Sequence, residues 1–385
     1  MSAGRVLRGL LAAAAVLAGA AGGLIGVCGP FTDTANDGFC PFVLEIFTLN
    51  ITTGTTATTF SPADNVTRLQ MAAFLSRTVD RTLQRGSRRA SLDQFWKTQT
   101  LHDEALIALG SSPGFVKSDG ADLWISDQTD DLITRIRGSD GKFLQNWISS
   151  VNPSGLLVAI GRIFAAGNLS PGRLYMIDPG QNAGAVTTVA TTLGAFPQAL
   201  VFDGVKIWSG DFSGSVSIVT PGSVAPWTVA TVTTGFDAVA GMVFDGTSVW
   251  AVDTNADRLF KLDSSGGILQ TVTVGNVPGF PVFDGNNIWV PNVLDPSITV
   301  VRASNGAILA TLTGNGLGGP YQAAFDGERV LVTNQSLGSV SLWKAADLSP
   351  LGFVSTGGGT QPHGACSDGV HFWVVLNGSG SLARF

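Results

Sequence analysis

A Phe-Asp-Gly phrase followed by a short apolar run recurs along this chain, and it restricts the fold more than any other feature. Its clearest copies are VFDGVKIWSGD at 201–211, VFDGTSVWAVD at 243–253 and VFDGNNIWVPN at 282–292. Weaker copies are KSDGADLWISD from Lys117, AFDGERVLVTN from Ala324 and CSDGVHFWVVL from Cys366, and a degenerate one, VAIGRIFAAGN, starts at Val158. The glycine of the phrase falls at 120, 161, 204, 246, 285, 327 and 369, in steps of 41, 43, 42, 39, 42 and 42.

One repeat contains only strand-like pieces and turns. Residues 279–283 are short and apolar, and Asp284-Gly285 is a tight-turn pair because glycine tolerates positive φ. Ile288-Trp289-Val290 reads as a second strand that is apolar on both faces, and 297–301 and 309–312 supply a third and a fourth. A period near 40 built this way is the signature of a β-propeller blade, so seven phases predict seven four-stranded blades. The aromatic-rich second-strand position (Trp124, Phe164, Trp208, Trp250, Trp289, Leu331, Trp373) is expected to pack between blades.

The last repeat runs through a third strand at 381–385 and has no fourth of its own. Residues 105–109 are spaced like the fourth strand of another repeat, with Gly110 ten residues before Gly120 as Gly275 is before Gly285. An open ring would leave unpaired strand edges, so 105–109 are expected to close it against 381–385. The predicted fold is mainly β, a seven-bladed propeller over 101–385 preceded by a small α-helical module.

Residues 1–27 carry Arg5 and Arg8 and then an Ala/Leu/Gly stretch, the layout of a secretory signal peptide with a cleavage site near Ala18-Gly19-Ala20. A retained membrane anchor is the alternative reading, and no later stretch is apolar enough to span a membrane. A lipoprotein reading at Cys28 fails because Val27 stands where a small residue is required. In an oxidising compartment Cys28 and Cys40 are candidates for a disulfide, while Cys366 reads as a small buried hydrophobe.

Residues 28–82 form the expected helical module. Phe42, Ile46 and Leu49 are helix-spaced, and Thr67 opens a second helix with Leu69, Ala72, Ala73 and Val79 among its apolar positions. With Phe31-x-Asp33, Ile51-Thr52-x-Gly54, Phe60-x-Pro62 and Val66-Thr67-Arg68-Leu69-Gln70-Met71-Ala72-x-Phe74-Leu75-x-Arg77, this segment resembles an S-layer homology (SLH) module. That resemblance implies attachment to an acidic cell-envelope polysaccharide. Thr67 would cap the helix, and Arg68 would hold a glycan carboxylate at the helix N-terminus. Gln70 departs from the family's Glu, and one module stands where three usually act together. Residues 80–100 continue helix-like and carry Arg81, Arg85, Arg88 and Arg89, and 83–100 read as a solvated linker helix.

Charge divides between the halves. Residues 1–100 hold nine Lys/Arg against six Asp/Glu, while 101–385 hold thirteen against twenty-two, a net of −9 that argues against nucleic acid as the propeller's partner. Histidine occurs only at 102, 363 and 371 and glutamate only at 45, 104 and 328, which leaves little for metal centres or Glu-based acid–base pairs. Serine is plentiful, but no G-x-S-x-G nucleophile elbow occurs in an α/β setting, and no G-x-x-x-x-G-K-[ST] phosphate loop is present.

On one propeller face the second strands end in Asp127, Asp211, Asp253, Asn292, Asn334 and Asn377, and the inter-blade loops add Asp237, Gln361 and His363. Such a ring suits a polar ligand or Ca²⁺, an oxygen-seeking ion; no other cofactor is expected. The competing reading is that Asp and Asn cap turns through their own backbone. The repeats resemble NHL and YVTN propellers, a group that includes binding platforms and streptogramin-lyase-like enzymes. The expectation is an exported, cell-surface binding or scaffold protein whose propeller presents a protein or small-molecule ligand site. The alternative is a secreted propeller enzyme of lyase or hydrolase type.

Overall fold

The computed structural model describes residues 30–34, 40, 43, 46–47, 51–84, 105–148, 150–181 and 183–385. The signal peptide, Cys28 and the body of the expected linker helix lie outside the described residues. The chain divides into two compact units, Met1–Leu92 and Asp93–Phe385.

In the first unit Cys40, Val43, Ile46 and Phe47 are helical and one helix, α1, spans Arg68–Gln84. The residues that carry the family resemblance pack on one another. Phe31 is fully buried, with its ring 5.2 Å from Phe47 and 5.7 Å from Phe60. Asp33 accepts hydrogen bonds from the Phe60 and Ser61 N–H groups, tying the Phe-x-Asp and Phe-x-Pro segments together. These two donors hold the Asp33 carboxyl below its ordinary value. Gly54 has φ +80, and a Cβ there would collide with the Phe31 ring, so the loop admits only glycine.

The second unit is a ring of seven four-stranded antiparallel sheets. Six blades are formed by consecutive strands. The seventh combines Pro362–Ser367, Phe372–Leu376 and Ser381–Arg384 with the early strand Ala105–Ala108. Its closing register pairs Ala105 with Arg384 and Ile107 with Leu382, as the orphan fourth strand predicted. The pairing covers the outer edge of Ser381–Arg384 and gives the seventh blade the same four strands as the other six.

All seven aromatic-position residues of the second strands are at most 1% exposed. Packed between neighbouring sheets, they account for the doubly apolar second strands. Inner strands approach one another closely: a Cβ on Gly364 would lie 2.7 Å from Phe115 Cα. The fifth blade departs from expectation, because its first strand is only Val282–Phe283. Pro278 and Pro281 have no N–H to donate, and Phe280 instead pairs with the next blade through Phe280 N to Tyr321 O and Ala323 N to Phe280 O.

Candidate functional site

In the first unit, the start of α1 is a reciprocal capping box. The Thr67 hydroxyl accepts from the Gln70 N–H at 3.2 Å, and the Gln70 side-chain carbonyl accepts from the Thr67 N–H at 2.8 Å. Gln70 therefore performs the reach-back that glutamate performs in such boxes, without adding a negative charge. Arg68, the first helical residue, is solvent-exposed, so its cation sits where α1 presents unpaired N–H groups. Beside the box lies a cleft of about 500 Å³ whose lining includes Thr53, Asp64, Asn65, Gln70 and Phe74. Arg68 is not among the lining residues.

On the propeller, the structure places Asp127, Asp211, Asp253, Asn292 and Asn334 at the ends of second strands, but buries all five. Their polar atoms pin the inter-blade loops. Asp127 accepts from the Ser112, Thr129 and Asp130 N–H groups, and Asp253 from those of Asp237, Ala238 and Ala256. Asn292 accepts from Gly275 N–H and donates to Ser297 and Thr299 hydroxyls. Asn334 accepts from Gly318 N–H and donates to Ser341. Asp211 accepts from the hydroxyls of Ser209, Ser215 and Ser217 with no cation beside it, and burial pushes its carboxyl up to about 6. The ring read from the sequence is thus part of the wall of the mouth. Its oxygens are engaged internally, which corrects the expectation of a set open to a ligand.

His363 has a different setting. Its Nδ1 lies 2.9 Å from the Gly114 carbonyl oxygen, which can only accept, so Nδ1 carries the proton and Nε2 is left as the acceptor nitrogen. Burial depresses the imidazole to about 4, which keeps it neutral at physiological pH. The ring lies tilted 4.1 Å from Tyr321 and edge-to-face 5.3 Å from Phe115, and Phe280 lies 4.9 Å from Phe115 and 5.1 Å from Tyr321. His363, Tyr321 and Phe115 come from the inner strands of the seventh, sixth and first blades, and Phe280 from the segment just before the fifth blade's short inner strand. The corresponding positions of the second, third and fourth blades hold Ser154-Gly155, Gln198-Ala199 and Ala240-Gly241, so the aromatic wall is one-sided. A sequence signal for the cluster exists, since each ring follows a Pro by one or two residues (Pro113, Pro278, Pro320, Pro362), but of the four only His363 is among the candidate residues named from the sequence.

Charge is also segregated. Among the described residues, the face of the 2→3 and 4→1 loops carries eight aspartates, at 127, 130, 131, 211, 237, 253, 257 and 295, against Arg173 and Arg258. The propeller's other eleven Lys and Arg lie toward the opposite face. The acidic face also exposes Phe196, Phe212, Leu294 and Leu337, each more than two-fifths accessible. Among the described residues no cluster of three metal-ligating side chains occurs, and no helix is long and apolar enough to cross a membrane.

Comparison with known proteins separates the two units. Residues 30–72 match the family model of the S-layer homology domain. No curated protein matches the chain. Among solved structures, virginiamycin B lyase from Staphylococcus aureus superposes with a TM-score of 0.60 at 15% identity, covering 73% of this chain and 97% of that one. Kuenenia stuttgartiensis hydrazine synthase gives 0.61 at 15% identity, covering 75% and 99%. The WD40 propeller domain of Doa1 gives 0.61 at 12% identity, covering 73% and 95%. At these identities the likeness is one of fold.

Proposed function

We propose that this is an exported, envelope-associated binding protein, held by its SLH domain to an acidic cell-wall polysaccharide and presenting its propeller as an interaction platform. The observation that carries the attachment is the start of α1 within the SLH match: Thr67 and Gln70 cap the helix reciprocally and leave the Arg68 guanidinium exposed at its N-terminus. A glycan carboxylate docking there gains a charge-assisted contact together with the positive end of the helix dipole. The acidic, partly apolar loop face of the propeller suits a cationic partner with apolar flanks.

Fractionation of cells producing the full chain, its Arg68→Ala variant and a version lacking residues 29–82 tests the attachment. The wild type is expected in the envelope pellet and both variants in the soluble fraction, with wild-type retention weakening as salt is added. Retention of Arg68→Ala as tight as wild type would sink the glycan-anchor reading.

His363 favours a second reading, a secreted lyase or hydrolase working at the pore mouth. Its neutral imidazole with an unprotonated Nε2 is the state a general base requires. It ranks second because His363 is oriented by a backbone carbonyl and not by a carboxylate. Incubation with virginiamycin B, the compound in the name of one structural neighbour, provides the check. Turnover that disappears in His363→Ala would support the enzyme; no turnover by the wild type would count against it for this substrate.

A further inference from the structure

The repeats supply an internal control at the turn joining third and fourth strands. In the first blade, Arg137 ends the third strand and pairs with Asp140 three residues on, at 3.1 Å. In the sixth, Lys344 pairs with Asp347 in the same i, i+3 relation, also at 3.1 Å. Each aspartate does two things: its second oxygen accepts a backbone N–H two residues further, from Lys142 and Ser349 respectively. In the fifth blade the cation is Arg302, and the residue three on is Asn305. Asn305 keeps the turn bond, its Oδ1 accepting from the Ala307 N–H at 3.1 Å, but supplies no charge. Arg302 is exposed and, among the described residues, has no carboxylate partner.

This uncompensated guanidinium lines a cleft of about 770 Å³ between the fourth, fifth and sixth blades, on the face opposite the aspartate-rich loops. A second cation converges on the same place: Lys261 Nζ donates to the carbonyl of Ala303, next to Arg302, at 3.1 Å. The two carboxylates in the lining are already engaged. Asp245 accepts the Trp250 indole N–H and lies 3.7 Å from Lys261, while Asp347 pairs with Lys344. Asn286 and Ser304 offer side-chain hydrogen-bonding groups, and Phe283, Leu309 and Leu348 add apolar lining. The size is that of a small-molecule site.

We propose that this cleft binds a sugar-sized, polyhydroxylated ligand bearing one oxyanion, carboxylate or phosphate, which pairs with Arg302 in the place that Asp140 and Asp347 occupy in the sister blades. Arginine's planar fork matches either oxyanion bidentately, and the polar and apolar lining suits the two sides of a sugar ring. The site is independent of the envelope attachment, since it lies wholly within the propeller.

Calorimetric titration of the full chain at low salt with D-glucuronate, D-glucose 6-phosphate and D-glucose tests it. At least one anionic sugar is expected to bind and glucose not to; the tighter of the two anions identifies carboxylate or phosphate. Arg302→Ala should weaken binding by about tenfold or more, the cost of a charge-assisted pair. Asn305→Asp should weaken it comparably while leaving the melting temperature equal or higher, because it restores the internal partner that two sister blades already have. Arg173→Ala, on the opposite face, should bind as wild type does. Binding of glucose as tight as that of the anions, absence of binding by both anions, or unchanged affinity in Asn305→Asp and Arg302→Ala would each overturn the proposal.

Discussion

The indole N–H of Trp289 donates to Asp284 Oδ2 at 2.7 Å, while Asp284 Oδ1 accepts the N–H groups of Asn286 and Asn287. One carboxylate thereby closes the turn between the first two strands and satisfies the one polar atom of the largest side chain in the blade. The pair recurs as Asp119–Trp124, Asp203–Trp208, Asp245–Trp250 and Asp368–Trp373 at 2.7–2.8 Å. In the sixth blade, where Leu331 replaces the tryptophan, Asp326 pairs with the Arg329 guanidinium instead. Asp284→Ala should cost about 2–4 kcal/mol, because it strands a buried indole N–H and two turn amides. Denaturant titration would show this; a loss below 0.5 kcal/mol would mean the hydrogen bond is incidental.

These pairs also set the acid response. At Asp119, Asp203, Asp245 and Asp368, burial pushes the carboxyl up, but the indole and turn donors outweigh it and leave each below the ordinary value. With the folded-state pKa below the unfolded one, the stabilisation is complete at neutral pH and is lost as pH falls below about 4. Melting temperature should therefore drop steeply between pH 4 and 2. A flat profile over that range would show that the aspartates contribute nothing through ionisation.

Asp211 has the opposite sign. Its folded-state value, about 6, lies above the unfolded value of 3.8, so its contribution is favourable in acid and is lost as pH rises through 6. Asp211→Asn should stabilise the propeller at pH 7.5 by about 1–3 kcal/mol and flatten the pH 5–7 slope. Asn292 and Asn334 already fill this position with hydroxyl partners of the same kind. Thermal unfolding of both proteins at pH 5 and 7.5 would decide it, and a variant less stable at pH 7.5 would refute the assignment.

Ring closure rests on four residues at the far end of the chain from their partners. Deleting 101–110 removes the strand that pairs Ile107 with Leu382 and exposes the edge of Ser381–Arg384. The expected result is a single unfolding transition at markedly lower temperature, with increased self-association through the open edge. An unchanged transition would show that the ring does not depend on this clasp.

The cap of α1 can be tested apart from glycan binding. Thr67→Ala and Gln70→Ala should each cost about 1 kcal/mol of local helix stability and should not add fully, because their two hydrogen bonds form one motif. Hydrogen exchange at the first turn of α1 is the measurement. Full additivity would mean the two bonds act separately.

The period of about forty residues was enough to determine blade number, strand order and the clasp, because a blade is a local unit whose turns and strand alternation are written in consecutive residues. The Phe-x-Asp, Ile-Thr-x-Gly and Thr-Arg-Leu-Gln segments likewise mark the SLH domain in the sequence itself. The fate of polar side chains was decided only in three dimensions. Asp127 and Asp253 looked like a ligand ring along the sequence, yet folding brings loop amides such as those of Ser112 and Asp237 onto them and engages their oxygens. The tautomer of His363 depends on a carbonyl 249 residues away, at Gly114. The charge on Arg302 is left open by a neighbour that differs from its sister-blade counterparts by one carboxylate oxygen, and it acquires meaning only because three blades converge to form a cleft around it. Backbone repeats are local and legible; desolvation and pairing depend on which distant groups the closed ring brings together.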